Sequence, residues 1–294
     1  MEYNEKNEFY YDYFISKGYI YVSNGYMHNI FEKGDRIIKI VKSIFMKFDS
    51  RENYLLEKKC LNILRDNGYM TPEVYKIGQL ELDGKKIYYL EEEKINGKIK
   101  LYSEMNEMEK NNFFKLLNDI TEIKGQKYGK ISSQKDGEYD TWLDYLKELF
   151  RRARTVIKKF DLKIQFDEIE KDILSKTDNS VECSFLILDP NEKNFFWVNN
   201  NVSYIIDIDH PIYGDKLYQL ALFNYFRKDY YLYLIRKGFI TSEEIKMINL
   251  YTIVFVLNDI YFKLSAEENI SENITSYLLD VINLYNELKG CKRK

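Results

Sequence analysis

Along the first ninety residues, apolar positions come in short runs rich in Ile, Val, Tyr and Phe, separated by turn residues. "GYIYVS" (18–23) and "HNIFEKGDRIIKIV" (28–41) predict strands, and the second breaks into a hairpin at Lys33-Gly34-Asp35. "EVYKIGQLELDGKKIYYLEEE" (73–93) predicts a second hairpin, with Asp83-Gly84 supplying the two positive-φ residues of a tight turn. Between the hairpins the period changes to that of a helix, with Leu56, Cys60, Ile63 and Leu64 on one apolar face. Asp49 is placed to cap that helix, Glu52 to complete a capping box, and Asn67-Gly68 to close it before Pro72.

After "EEEKINGK" (91–98) the chain reads as helices. Phe113, Leu116, Leu117 and Ile120 repeat at helical spacing within 104–123. The stretches 141–160, 217–238, 242–264 and 273–290 are read the same way. This predicts an α+β protein of two lobes: residues 1–94, a small antiparallel sheet with one helix, and residues 95–294, larger and mostly helical. A cleft between two such lobes is a common ligand site.

Composition narrows the class. With 45% hydrophobic and 31% charged residues, the 294-residue chain falls among soluble globular proteins. A formal net charge of -3 argues against nucleic acid as a partner, because phosphate backbones need a basic face. Cys60, Cys183 and Cys291 are isolated and form neither a disulfide framework nor a metal knuckle. The N-terminal stretch has no signal-peptide pattern, and apolar runs such as "YTIVFVL" are too short to span a bilayer. The expectation is a cytoplasmic protein without a membrane partner. His28 and His210 are the only histidines, so a metal site would be built from oxygens, which suits Mg²⁺.

One constellation carries chemistry. Asp189 and Asn194 form the only D-x-x-x-x-N spacing of the chain, and "NFFWV" and "VSYIID" flank "NNN" as strands flank a turn. Such a hairpin carries Asp207 back beside Asn194, so that an amide oxygen and a carboxylate face one cation. Phosphoryl transfer asks for that set. One carboxylate takes the proton of the attacking hydroxyl, and an amide with a second carboxylate holds Mg²⁺ on the phosphates. Lys39, within the apolar strand "RIIKI", is a candidate cation for the phosphates, although a lysine there is also what an edge strand facing water would show. Glu57 can reach and orient it, with Glu52 as the fallback partner; read alone, Glu57 is a solvated helix position.

Lys39, Glu57, Asp189, Asn194 and Asp207 occur in the order and rough spacing of the aminoglycoside phosphotransferases, a small-molecule kinase family that also looks like choline kinases. "IIDIDHPIYGDKLYQLALF" (205–223) is similar to that family's "IIDW", "GDP" and "DLA" segments, and "YDTWLDYL" (139–146) resembles its Trp-containing segment. The resemblance covers about residues 18 to 230. It implies a protein-kinase-like fold, Mg²⁺, and ATP or GTP as co-substrate. It further implies transfer of the γ-phosphoryl group to a hydroxyl of a small molecule, aminoglycoside-like or amino-alcohol-like. Asp189 would be the catalytic base, Asn194 and Asp207 the metal ligands, and Lys39 with Glu57 the phosphate anchor. Ser23, Asn24 and Gly25 would lie at the phosphates, with a plain β-turn as the alternative, and Glu93 would be the hinge residue. Asp215 fits a helix cap, and Asp209 is an additional acid near the site. Ile187-Leu188 stands where the family has His-Gly, whose His braces the catalytic loop. That departure keeps open an alternative, a catalytically weak or silent kinase-like nucleotide-binding protein.

Overall fold

A computed structural model describes residues 8–24, 27–48, 50–177, 180–188, 190–208, 210–265 and 273–291. The front half contains α1 (Tyr11–Ser16), β1 (Ile20–Asn24), β2 (His28–Lys33), β3 (Arg36–Val41), α2 (Arg51–Asp66), β4 (Val74–Leu82) and β5 (Lys85–Glu93). Next come β6 (Lys98–Ile99), α3 (Glu107–Ile120), β7 (Gly129–Lys130), α4 (Trp142–Lys159) and α5 (Phe166–Lys176). The chain continues with β8 (Ser184–Leu186), β9 (Phe195–Val198), β10 (Asn201–Ile205) and β11 (Ile212–Gly214). It ends with α6 (Lys216–Phe226), α7 (Lys228–Arg236), α8 (Ser242–Ser265) and α9 (Asn273–Cys291). Contacts group the chain into two compact units. The first is Met1–Ile120, Ile131–Lys135 and Asp189–Pro211; the second is Thr121–Lys130, Asp136–Leu188 and Ile212–Lys294.

The first unit is built on a five-stranded antiparallel sheet of order β1-β2-β3-β5-β4. Both expected hairpins form. The β4–β5 turn is Asp83-Gly84, at φ 52° and 71°, and a two-residue loop needs that positive φ at both positions. Being central, β3 is covered on both sides, so Ile38, Lys39, Ile40 and Val41 are all buried. One face of the sheet packs on α1, which the hydrophobic pattern does not announce: Tyr10 and Phe14 meet Phe31, Ile38, Ile40, Ile87 and Tyr89. Asn29 Nδ2 donates to the Tyr10 hydroxyl at 2.8 Å and fixes that helix to β2.

The cap of α2 differs from the sequence expectation. Ser50 is the N-cap, with extended backbone and its hydroxyl accepting from the Asn53 N–H at 3.2 Å. The expected cap, Asp49, lies outside the described residues. Glu52 instead accepts from the Ser133 hydroxyl. The buried stripe of α2 is Tyr54, Glu57, Cys60, Leu61 and Leu64, rotated from the predicted face, so that Glu57 points inward.

A second, three-stranded sheet of order β10-β9-β6 belongs to the same unit. Its hairpin turns at Asn199-Asn200, φ 49° and 66°. Asn tolerates the left-handed region better than most residues, which is why the run of asparagines falls there. Phe113 of α3 packs edge-on against Phe195, ring centroids 4.8 Å apart.

The second unit is mainly helical. α8 is long and apolar enough to cross a bilayer by length and composition alone. Here its Ile248, Tyr251, Val254 and Leu257 are buried, and it packs on α4, α6 and α9 as a core helix. The single helical stretch expected over 217–238 is two helices, broken at Arg227 (φ -135°, ψ 53°), and α5 was not marked by the pattern. A polar chain ties the core: Trp142 Nε1 donates to the Tyr251 hydroxyl, which donates to Asp215 Oδ2, each at 2.9 Å. Asp215 also caps α6, accepting from the Leu217 N–H at 2.9 Å. Gly214 packs close to the indole of Trp142, and a Cβ there would come within 2.5 Å of the ring. Trp142 is 1% exposed and has nowhere to move. Gly214→Ala should therefore cost about 1–3 kcal/mol, read as a lower denaturant midpoint; an unchanged midpoint would show that the ring gives way.

Candidate functional site

The site is assembled inside the first unit from three stretches far apart in sequence. β3 supplies Lys39, which is 4% exposed, so a charge sits in the middle of a sheet. It is tolerated because three carboxylates surround it: Glu57 Oε1 at 2.5 Å, Asp207 Oδ1 at 3.1 Å and Glu92 Oε1 at 3.4 Å. The edge-strand reading of Lys39 and the solvated-surface reading of Glu57 are both overturned, since β3 is central and Glu57 falls in the buried stripe of α2. Glu52, the fallback partner, is not among the groups that meet Lys39.

The β9–β10 hairpin brings the other groups. The Ile206 N–H donates to the Asn194 carbonyl at 2.9 Å, and Asn194 Nδ2 donates to the Asp207 carbonyl at 3.1 Å. With its Nδ2 spent there, the 7%-exposed Asn194 has its amide oxygen left for a ligand. Asp207 itself adopts φ 55°, an uncommon conformation for a non-glycine residue. Asn194 and Asp207 thus stand together as the sequence predicts. An amide oxygen and a carboxylate are hard donors that suit Mg²⁺ when phosphate oxygens complete the shell.

Lys39, Asn194 and Asp207 line one cavity of about 630 Å³, within the range of small-molecule sites. Part of its lining is apolar (Val22, Ile30, Ile37, Ile99, Phe196, Ile206), which suits a flat ring. Ser23 and Glu93 also line it. The backbone of Asn24 pairs with Asn29 at the end of β1, while Gly25, Asp189 and Asp209 lie outside the described residues. At Glu93 the N–H is spent on the Glu73 carbonyl at 2.9 Å, and the Lys94 N–H on the Asp35 carbonyl at 2.8 Å. The next N–H, that of Ile95, has no backbone partner among the described residues. Two residues before Asp189, the Ile187 N–H donates to Gln219 Oε1 of α6 at 2.8 Å.

Sequence reasoning missed three groups here. Glu92 is 1% exposed, and its place two residues after the apolar Leu90, on the inward face of β5, was the available signal. Lys193, beside Asn194, lines the cavity as an exposed cation. His28, at the start of β2, lines it too and lies near the Tyr54 ring, centroids 6.0 Å apart.

The charges do not balance evenly. Burial opposes the Lys39 ammonium, but Asp207, Glu57 and Glu92 together outweigh it and hold the amine well above its ordinary pKa. One ammonium cannot neutralise three carboxylates. Asp207, the most exposed of them, is held below its ordinary value by Lys39. Burial pushes the Glu57 and Glu92 carboxyls up. Burial, reinforced by the Lys39 charge, lowers His28 to about 4.

The sequence matches no protein-family profile and no curated protein. Solved structures do match. A thermostable mutant of aminoglycoside phosphotransferase APH(4)-Ia, in ternary complex with ADP and hygromycin B, superposes with a TM-score of 0.69 at 12% identity, covering 95% of this chain and 97% of that one. The GDP complex of wild-type aminoglycoside 2'-phosphotransferase-IIIa gives 0.62 at 14% identity, over 97% and 99% of the two chains. ADP-bound aminoglycoside phosphotransferase APH(2'')-Ib gives 0.57 at 14%, over 95% and 97%. The chain has the protein-kinase-like fold of the aminoglycoside phosphotransferases.

Proposed function

We propose that the protein is a phosphotransferase that moves the γ-phosphoryl group of ATP or GTP to a hydroxyl of a small molecule, with Mg²⁺ as the metal. The observation that carries this reading is the convergence of Lys39, Asn194 and Asp207 on one cavity, with Glu57 behind the ammonium. The similar solved structures, with ADP, GDP or AMP-PNP and hygromycin B in their complexes, support it.

In this reading the apolar walls take the base, and the Ile95 N–H beyond Glu93 is the backbone donor for its edge. Lys39 meets the phosphates, held in direction by Glu57. Asn194 Oδ1 and the Asp207 carboxylate hold the cation, which when bound neutralises phosphate charge. Ser23 lies at the phosphate end. Asp189 receives the acceptor's proton as the acceptor oxygen bonds to the γ-phosphorus and the nucleoside diphosphate leaves with the bridging electrons. The acceptor is a hydroxylated molecule of the aminoglycoside or amino-alcohol kind. The bond from the Ile187 N–H to Gln219 Oε1 braces the backbone before Asp189 where the usual His is missing, which counts against the silent alternative.

The test is Asp189→Ala assayed with ATP and GTP over a panel of hydroxylated acceptors. Removing a general base should lower turnover about 10²–10⁴-fold, with the circular dichroism spectrum unchanged. Full turnover in that variant ends the reading, and nucleotide binding without transfer to any acceptor by the unmodified protein favours the silent alternative.

A further inference from the structure

Neither oxygen of the Glu92 carboxyl has a hydrogen-bond partner among the described residues, although the residue is 1% exposed. Its contact with Lys39 Nζ, at 3.4 Å, is longer than those Lys39 makes to Glu57 and Asp207, at 2.5 and 3.1 Å. Burying a carboxyl whose oxygens have no close hydrogen bond is costly, and native structures rarely do it without a reason. The reason is found in the other groups on Lys39. An ammonium has three donors. One goes to Glu57 at 2.5 Å and one to Asp207 at 3.1 Å. Of the three carboxylates, only Asp207 has substantial exposure, 36% against 7% for Glu57 and 1% for Glu92. Asp207 is therefore the group that can leave Lys39 for a cation, and Glu92 is then the nearest carboxylate without a bond.

We propose that Glu92 is a positioning residue that takes the place of Asp207 on Lys39 when Asp207 turns to a cation. The ammonium is then held between a carboxylate on α2 and one on β5. Because β5 is paired on both sides, to β3 and to β4, the second anchor ties Lys39 to the sheet itself. Lys39 then keeps its place even when one partner leaves, and a carboxyl that otherwise lacks any hydrogen bond gains one. The proposal rests on the reading of Asp207 as a cation ligand.

The test needs neither nucleotide nor metal. Acylation of the Lys39 amine by a small acyl phosphate is followed by mass spectrometry in the unmodified protein, Asp207→Asn, Glu92→Gln and the double variant. Asp207→Asn stands for an Asp207 that has left. Each single change should raise labelling of Lys39 no more than about threefold, and the double change more than about tenfold beyond the product of the two. Equal effects of Glu92→Gln in both backgrounds would overturn the proposal. If the double variant does not fold, a crystal structure of the unmodified protein with Mg²⁺ and a non-hydrolysable nucleoside triphosphate replaces it. The distance from Lys39 Nζ to the Glu92 carboxyl should shorten to hydrogen-bond length, below about 3.2 Å; with the cation on Asp207, no shortening overturns the proposal. Labelling that is coupled as expected, in a protein that binds no nucleotide, keeps the role of Glu92 and removes the phosphotransferase reading.

Discussion

Replacing Lys39 with Met should unfold the protein more easily by about 3–5 kcal/mol at neutral pH, because it strands buried carboxyls that pair, among the described residues, with that ammonium alone. The side chain is 6% exposed, so the thioether fills the space and the loss is one of charge rather than volume. The pH dependence identifies the cause. Without Lys39, the Glu57 and Glu92 carboxyls sit still further above their unfolded values, which is stability present at low pH and lost as pH rises through the folded values. The deficit against the unmodified protein should therefore widen as pH passes about 8, where Glu57 beside Lys39 loses its proton, and be larger at pH 9 than at pH 6 in urea titrations. A deficit of the same size at both would mean that packing, not charge, is at stake. Under the proposed phosphotransferase reading, nucleotide binding should fall with it, since no other buried cation lines the cavity among the described residues.

The second large effect belongs to His28. Burial holds its pKa near 4, against 6.5 for the exposed imidazole, with Lys39 and Lys42 adding to the shift and Asp207 opposing it. The sign follows directly. Below pH 6.5 the unfolded chain takes a proton that the folded chain refuses, so stability is full above 6.5 and declines as pH falls towards 4. A shift of this size amounts to about 3 kcal/mol at the acid end. Because Glu57 contributes in the opposite direction over part of the same window, the quantity to measure is the difference between the unmodified protein and His28→Gln. That difference should shrink by about 3 kcal/mol between pH 7 and pH 4; a constant difference would show that the imidazole takes its proton as readily in the folded protein as in the unfolded chain.

Both effects come from residues whose surroundings the sequence left ambiguous. The hairpins were legible because their turns have a strict requirement: Asp83-Gly84 and Asn199-Asn200 are residues that adopt positive φ at little cost. The pairing of Asn194 with Asp207 was legible only in part: the Asn-Asn turn starts the register, but an irregularity between Val202 and Tyr204 shifts it by one residue before the strand reaches Asp207. Glu57 was half legible. Its spacing to Cys60, Leu61 and Leu64 puts it on the buried stripe, but the apolar residues alone suggested a face of Leu56, Cys60, Ile63 and Leu64. The cap at Ser50 turned on a single residue of helix start, and such boundaries are set by the local path of the chain.

Local chemistry thus determined the turns, the helices with a strong period and the order of the polar groups along the chain, because each depends on interactions within a few residues. Whether Lys39 faces water or three carboxylates depends on the rank of β3 in the sheet, which is set by long-range pairing with β2 and β5. Glu92 shows the same limit most sharply. Three consecutive glutamates read alike in sequence, and only the pleat of a strand packed on both sides turns the middle one into the interior beside the ammonium.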